Sequence, residues 1–147
     1  LTQYQGTAKA NTVMWPHRYN DDKQPGIAED LSSDFAMVIT QKMNLSKADY
    51  YATMGTSKAI FSCALHENLG ISVMEAVLTG AIPIVPDRCS YAEMYLPEFK
   101  YPSEWTENYE QFIYHRDDMV KFINTRLVYN FADYQDLIKQ QQQILIK

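Results

Sequence analysis

Apolar and polar positions fall along this chain in blocks that switch between the period of a strand and that of a helix. After Asn11, the stretch Thr12–Trp15 is β-branched and apolar and reads as a short buried strand, stopped by Pro16. A polar loop, His17 to Pro25, follows, and Pro25 can open a short helix through Leu31. Asp34–Thr40 reads as a second strand. Ser46 caps a helix that ends at Gly55, with Asp49 as a weak capping-box partner. Lys58–Cys63 is the third strand.

The most informative block comes next. A polar loop carries His66, Glu67 and Asn68; Gly70 opens a helix bearing Val73, Met74, Val77 and Leu78; Gly80 closes it. Ile82–Val85 is a buried strand. Ser90 can cap a short helix, Tyr91–Leu96, that Pro97 ends, and Phe99–Tyr101 reads as a short last strand. From Glu107 the pattern is helical, with Asp117 and Asp118 at a helix start and a stripe of Met119, Val120, Phe122, Ile123, Leu127 and Val128. Asp133–Lys147 is a further helix whose glutamine run, Gln140 to Gln143, reads as a solvated face. Leu1–Ala10 reads as a linker or frayed end.

Strands alternating with helices predict an α/β fold, a Rossmann-like doubly wound parallel sheet with extra C-terminal helices. Right-handed crossovers then bring two polar loops to one sheet edge, Arg18 to Lys23 and His66 to Gly70. Ligands of open parallel sheets bind at that edge, and helix N-termini there attract anions.

Composition changes this picture little. The chain has 147 residues, 46% apolar and 21% charged, with net charge -5, which suits one globular domain without a large nucleic-acid footprint. Cys63 and Cys89 are too few for a disulfide scaffold and read as reduced, mostly buried thiols. No apolar run approaches the ~20 residues of a membrane span, and no secretory signal is visible, so the expected location is cytoplasmic. The chain does not begin with Met, which is compatible with a fragment of a longer one.

Each candidate residue has two readings. Glu67 and Glu75, with seven residues between them, suit hydroxyl recognition, because carboxylates accept directionally from vicinal diols. Glu75 also completes a capping-box pattern with Ser72, and Glu67 also suits a solvated loop. Arg18 and Lys23 could clamp a diphosphate, or form a mixed-charge surface with Asp21 and Asp22. Gly70 frees the amides of Gly70, Ile71 and Ser72 for a close ligand, or is a turn glycine. His17, His66 and His115 are not at metal-ligand spacing, and no metal site is expected. The many tyrosines and phenylalanines read mostly as core; Tyr91, Arg88 and His17 could approach a nucleic acid, with a mixed surface the preferred reading.

Taken in order, Arg18 and Lys23 after a first strand, Glu67-x7-Glu75 over a glycine-opened helix, and Gly80-x-x-Pro83 before the next strand resemble retaining glycosyltransferases of family 4. These have the GT-B fold of two Rossmann-like domains, and the resemblance, over Asn11 to Pro102, fits the C-terminal donor-binding half. Trp15-Pro16-His17-Arg18 with Asp22-Lys23, Ser46-Lys47 with Asp49-Tyr50, His66-Glu67 with Gly70, Glu75-Ala76-Val77, and Tyr91 with Glu93 look most like the tRNA-queuosine mannosyltransferase-like branch. Phage-encoded glycosyltransferases of modified DNA bases are the neighbouring alternative.

The resemblance implies a hexosyltransferase using a UDP-, GDP- or ADP-sugar, with no cofactor and no metal. Arg18 and Lys23 would neutralise the leaving diphosphate, and the amides of Gly70, Ile71 and Ser72 would hold its distal phosphate. Glu67 would contact the sugar hydroxyls, Glu75 the ribose diol, and His66, with Asn68 and Leu69 of the same loop, the sugar or phosphate pocket. Glu67, Arg18 and Lys23 are then the candidate catalytic set. The acceptor, tRNA or DNA among the candidates, would be held by an N-terminal domain absent from this chain, so the fragment alone should transfer nothing. The segment Pro25 to Asn44 is shorter than in the family, which puts the strand count and the contacts to the base in question. A non-catalytic Rossmann-like nucleotide-binding module and a GT-B-like sugar-nucleotide epimerase are the competing readings.

Overall fold

The computed structural model describes residues 8–127 and 133–146. Its centre is a five-stranded sheet in the order β2-β1-β3-β4-β5, formed by Ala10–Trp15 (β1), Met37–Ile39 (β2), Ser57–Phe61 (β3), Ile82–Pro86 (β4) and Lys100–Tyr101 (β5). All four pairings are parallel. The helices between them are Pro25–Leu31 (α1), Lys47–Thr56 (α2), Ile71–Leu78 (α3) and Cys89–Met94 (α4). Tyr109–Tyr114 (α5), Arg116–Leu127 (α6) and Asp133–Ile146 (α7) complete the chain, so the expected α/β sheet with C-terminal helices is present. No helix among the described residues is long and apolar enough to cross a membrane.

Alternation along each strand builds a core on both faces. Val13, Trp15, Ala59, Phe61, Ile82 and Ile84 face one cluster, which α1, α5 and α6 close with Ile27, Leu31, Phe112, Met119 and Ile123. Met14, Ile60 and Val85 face the other, closed by Met54, Val73, Val77 and Tyr91 from α2, α3 and α4. Because both faces are covered, the strands read as continuous apolar runs. Trp15, Phe61, Tyr91, Phe99, Tyr101 and Phe112 are fully buried, which is the core role expected of the aromatics.

Several local expectations hold for the reasons given. Ser46 Oγ accepts from the Asp49 amide at 3.1 Å, Pro25 opens α1, and Pro25 to Asn44 holds one small helix and one strand. Gly80, at φ 99, ends α3 with bonds from Gly80 N to Val77 O and from Ala81 N to Ala76 O, the paired closure that favours glycine.

Others are corrected. Asp34 and Phe35 are not in β2, because their amides both bond Leu31 O and continue the turn that ends α1. Lys9 is not part of a frayed end: its ammonium donates to Gly55 O and Thr79 O, and burial lowers its pKa to about 8. Ser90 does not cap α4, which starts two residues earlier with Arg88 as its N-cap; Ser90 Oγ is sealed without a partner. Cys63 is buried, its thiol pushed up to about 12 by burial, but Cys89 is exposed because it opens α4 at the surface. Residues 1–7, Val128 and Lys147 lie outside the described residues.

The glutamine run is not a uniform solvated face. Gln141 is fully buried; its Oε1 accepts from Leu96 N at 2.7 Å and its Nε2 donates to Met94 O at 2.7 Å. Gln142 donates to Val77 O, while Gln140 and Gln143 are exposed. Replacing Gln141 with Ala leaves two backbone groups unpaired and should cost about 2 kcal/mol or more in urea unfolding, whereas Gln140→Ala should stay within about 0.5 kcal/mol.

Candidate functional site

The sheet order makes the chain diverge from β1 and β3 in opposite directions, so a crevice opens at their carboxyl ends. A cavity of ≈ 600 Å³ lies there, lined by His17 and Arg18 from the loop after β1 and by residues 67–73 after β3.

Side-chain hydrogen bonds hold the second of these loops in place. Arg88 donates to Cys63 O, Ala64 O, Ser103 O and Thr106 O at 2.8–3.2 Å. Gln24 Nε2 also reaches Cys63 O and Thr106 O, and Tyr101 Oη donates to Ser62 O at 2.6 Å. Leu65 N bonds Asp22 O at 2.7 Å, and Lys23 Nζ donates to His66 O at 2.7 Å. These contacts leave the loop one path into α3. Gly70 completes it at φ 69, where an added Cβ would sit 3.0 Å from Tyr91 Cε1 and 3.4 Å from Glu67 Cγ. No residue with a side chain fits there without strain.

Gly70 is the N-cap of α3, and no side chain caps this helix. The Ser72–Glu75 capping box is therefore not formed. The first amides of α3 have no partner within the helix, and their residues Ile71, Ser72 and Val73 form part of the cavity wall. Arg18 stands on the same wall, exposed, and its guanidinium has no hydrogen-bond or carboxylate partner among the described residues. A cation and a helix N-terminus together favour an anion.

The predicted residues divide between the cavity and its surroundings. Arg18, Glu67, Asn68, Leu69, Gly70, Ile71 and Ser72 line the cavity. Lys23, His66 and Glu75 do not. Lys23 pairs with Glu67 Oε2 at 3.2 Å and Asp22 Oδ2 at 3.4 Å, fixing the Glu67 carboxylate. His66 is exposed and contributes its carbonyl to Lys23. Glu75 faces α2, its Oε2 accepting from Tyr51 Oη at 2.9 Å, while Ser72 Oγ accepts from Tyr50 Oη at 3.4 Å. Arg18 also borders a second cavity of ≈ 280 Å³ with Thr40, Gln41, Asn44 and Tyr50. Among the described residues no three His, Cys, Asp or Glu side chains converge to hold a metal.

Sequence reasoning singled out His17 and Tyr91 but missed Ser62 and the contact that joins the three. His17 is 8% exposed, and its Nε2 lies 2.8 Å from Ser62 Oγ, which lies 3.0 Å from Tyr91 Oη. The outer two positions are 74 apart in sequence, and no local spacing announces their contact. Tyr91 and His17 are buried and Arg88 is committed to carbonyls, so these three do not form a nucleic-acid surface.

No family model matches the chain. A relative comes from Drosophila melanogaster: tRNA-queuosine alpha-mannosyltransferase, 27% identical over 119 aligned positions, covering 60% of this chain and 32% of the relative. The chain is distantly similar to a glycosyltransferase. It spans about a third of that relative's length. The likeness is partial.

Burial, and secondarily the charge of Lys23, lower the His17 pKa to about 4, against a smaller opposing effect of Asp22. An unfolded histidine titrates near 6.5, so between about 4 and 6.5 the unfolded chain binds the extra proton. Stability should therefore fall as pH drops from 6.5 towards 4, by about 3 kcal/mol from this group. Urea unfolding across that range tests this, and His17→Gln should flatten that part of the slope.

Proposed function

We propose that this chain is the donor-binding half of a retaining glycosyltransferase, taking a nucleoside diphosphate sugar into the crevice between β1 and β3. The observation that carries the reading is the pairing of an unpartnered guanidinium, Arg18, with the uncapped start of α3 on the wall of one cavity. Such a wall suits a diphosphate, which needs several donors and a compensating positive charge.

In this reading the amides of Ile71 to Val73 hold the distal phosphate and Arg18 binds the diphosphate by its fork. Glu67 accepts from the sugar hydroxyls, and Lys23 keeps its carboxylate in position while adding positive charge near the leaving group. Glu75 retains Oε1 for a ribose hydroxyl, because its Tyr51 contact uses Oε2. In the transfer step the bond from the anomeric carbon to the phosphate oxygen breaks. A bond to the acceptor oxygen forms on the same face, and the acceptor proton passes to the departing phosphate. Donors in place before the reaction stabilise the charge that develops there. The mannosyltransferase relative suggests mannose as the sugar and a modified tRNA base as the acceptor. The acceptor would be presented by a further domain of the whole protein.

A thermal scan with UDP, GDP and ADP tests the reading. The matching nucleotide, at roughly a hundredfold excess over its Kd, should raise Tm by about 5 °C or more, and Arg18→Ala should abolish the rise. No rise with any of the three nucleotides contradicts the reading.

A further inference from the structure

We infer that Tyr91 and Ser62 lock His17 as the neutral tautomer protonated on Nδ1, giving the cavity wall a fixed N–H donor for a phosphoryl oxygen of the ligand. The identity of the ligand rests on the donor-site reading above; the lock does not.

Ser62 Oγ is fully buried and has three partners: Ala64 N at 3.2 Å, His17 Nε2 at 2.8 Å and Tyr91 Oη at 3.0 Å. A hydroxyl has one proton to give and two lone pairs to accept with. The Ala64 amide can only donate, so it takes one lone pair. One lone pair and one proton remain for His17 and Tyr91. One of them must donate to Ser62 and the other must accept from it.

Tyr91 decides the direction. It is fully buried, and Ser62 is the one hydrogen-bond partner of its Oη among the described residues. If Tyr91 accepted, its own phenolic proton would be sealed with no acceptor, a buried hydrogen bond lost. With Tyr91 donating, every proton is used: Tyr91 Oη–H to Ser62 Oγ, and Ser62 Oγ–H to His17 Nε2. Nε2 then carries the lone pair, and the proton of the neutral ring sits on Nδ1.

Nδ1 has somewhere to point. The side-chain polar atoms sealed without a partner are Trp15 Nε1, Ser90 Oγ and Tyr95 Oη, among the described residues. His17 Nδ1 is not one of them and makes no hydrogen bond within the described chain, so it opens to the cavity that His17 lines. The charged groups around the ring are Lys23 and Asp22 from the adjoining turn and Arg18 and Glu67 on the cavity wall. Burial keeps the ring neutral well below pH 6. A lone pair facing the cavity would repel a phosphoryl oxygen, whereas an N–H extends the donor set of Arg18 and the α3 amides. Ser62 and Tyr91 are thus positioning residues, acting on the ligand through His17.

Long-range 1H–15N correlation spectra of the 15N-histidine-labelled chain read the tautomer directly. At neutral pH His17 should show a protonated Nδ1 and an unprotonated Nε2. Tyr91→Phe keeps the ring's bulk but removes the donor that sets the direction, and should admit the second tautomer. A wild-type ring protonated on Nε2 overturns the inference, as does an unchanged 15N pattern in Tyr91→Phe. Inorganic pyrophosphate should shift the Nδ1 proton; pyrophosphate that shifts Arg18 and leaves this proton unmoved overturns the ligand contact. If no nucleoside diphosphate binds while Nδ1 is protonated, the donor-site reading falls and the lock stands.

Discussion

The guanidinium of Arg88 is the constraint on which the site depends. It donates to the carbonyls of Cys63, Ala64, Ser103 and Thr106, and no carboxylate among the described residues pairs with it. Carbonyl oxygens at the end of a strand normally turn to water or to the next strand. Here one planar cation gathers them, with Gln24 and Tyr101 completing the set. The chain leaving β3 therefore has a fixed course before it reaches Gly70. A loop fixed this way can present a helix N-terminus at a defined place with little ordering left for a ligand to impose.

The second consequence is electrostatic. Three carboxylates lie near the cavity region, and each is partly satisfied by a neighbour: Glu67 and Asp22 by Lys23, Glu75 by Tyr51. Arg18 has no such partner among the described residues. An unpaired guanidinium beside the uncapped start of α3 favours an anion at that point of the crevice, in a chain whose net charge is -5.

How much of this was legible in the sequence follows from the range of each interaction. The parallel sheet was readable because burial on both faces writes itself into every strand as an apolar run. The turn at Gly80 and the cap at Ser46 were readable because their bonds close within a few residues. Arg18 and Gly70 to Ser72 stood out for the same reason, as a cation after one strand and a glycine opening one helix. Gln141 misled because a fully buried glutamine and a solvated one have the same letter, and only the backbone of Met94 and Leu96 distinguishes them. Glu75 misled in one of its readings because the Ser72-x-x-Glu75 spacing is correct while the N-cap of the helix is Gly70 and not Ser72. His17, Ser62 and Tyr91 were illegible as a group, since crossovers of the fold bring them together.

The central claim is that an anion seats between Arg18 and the first amides of α3. Backbone amide and arginine side-chain NMR signals, followed while UDP or GDP is titrated into the chain, test it most directly. The account predicts that the largest shifts fall on the amides of Ile71, Ser72 and Val73 and on Arg18 Nε–H. Saturable binding whose shifts cluster elsewhere, with these four signals still, would contradict it.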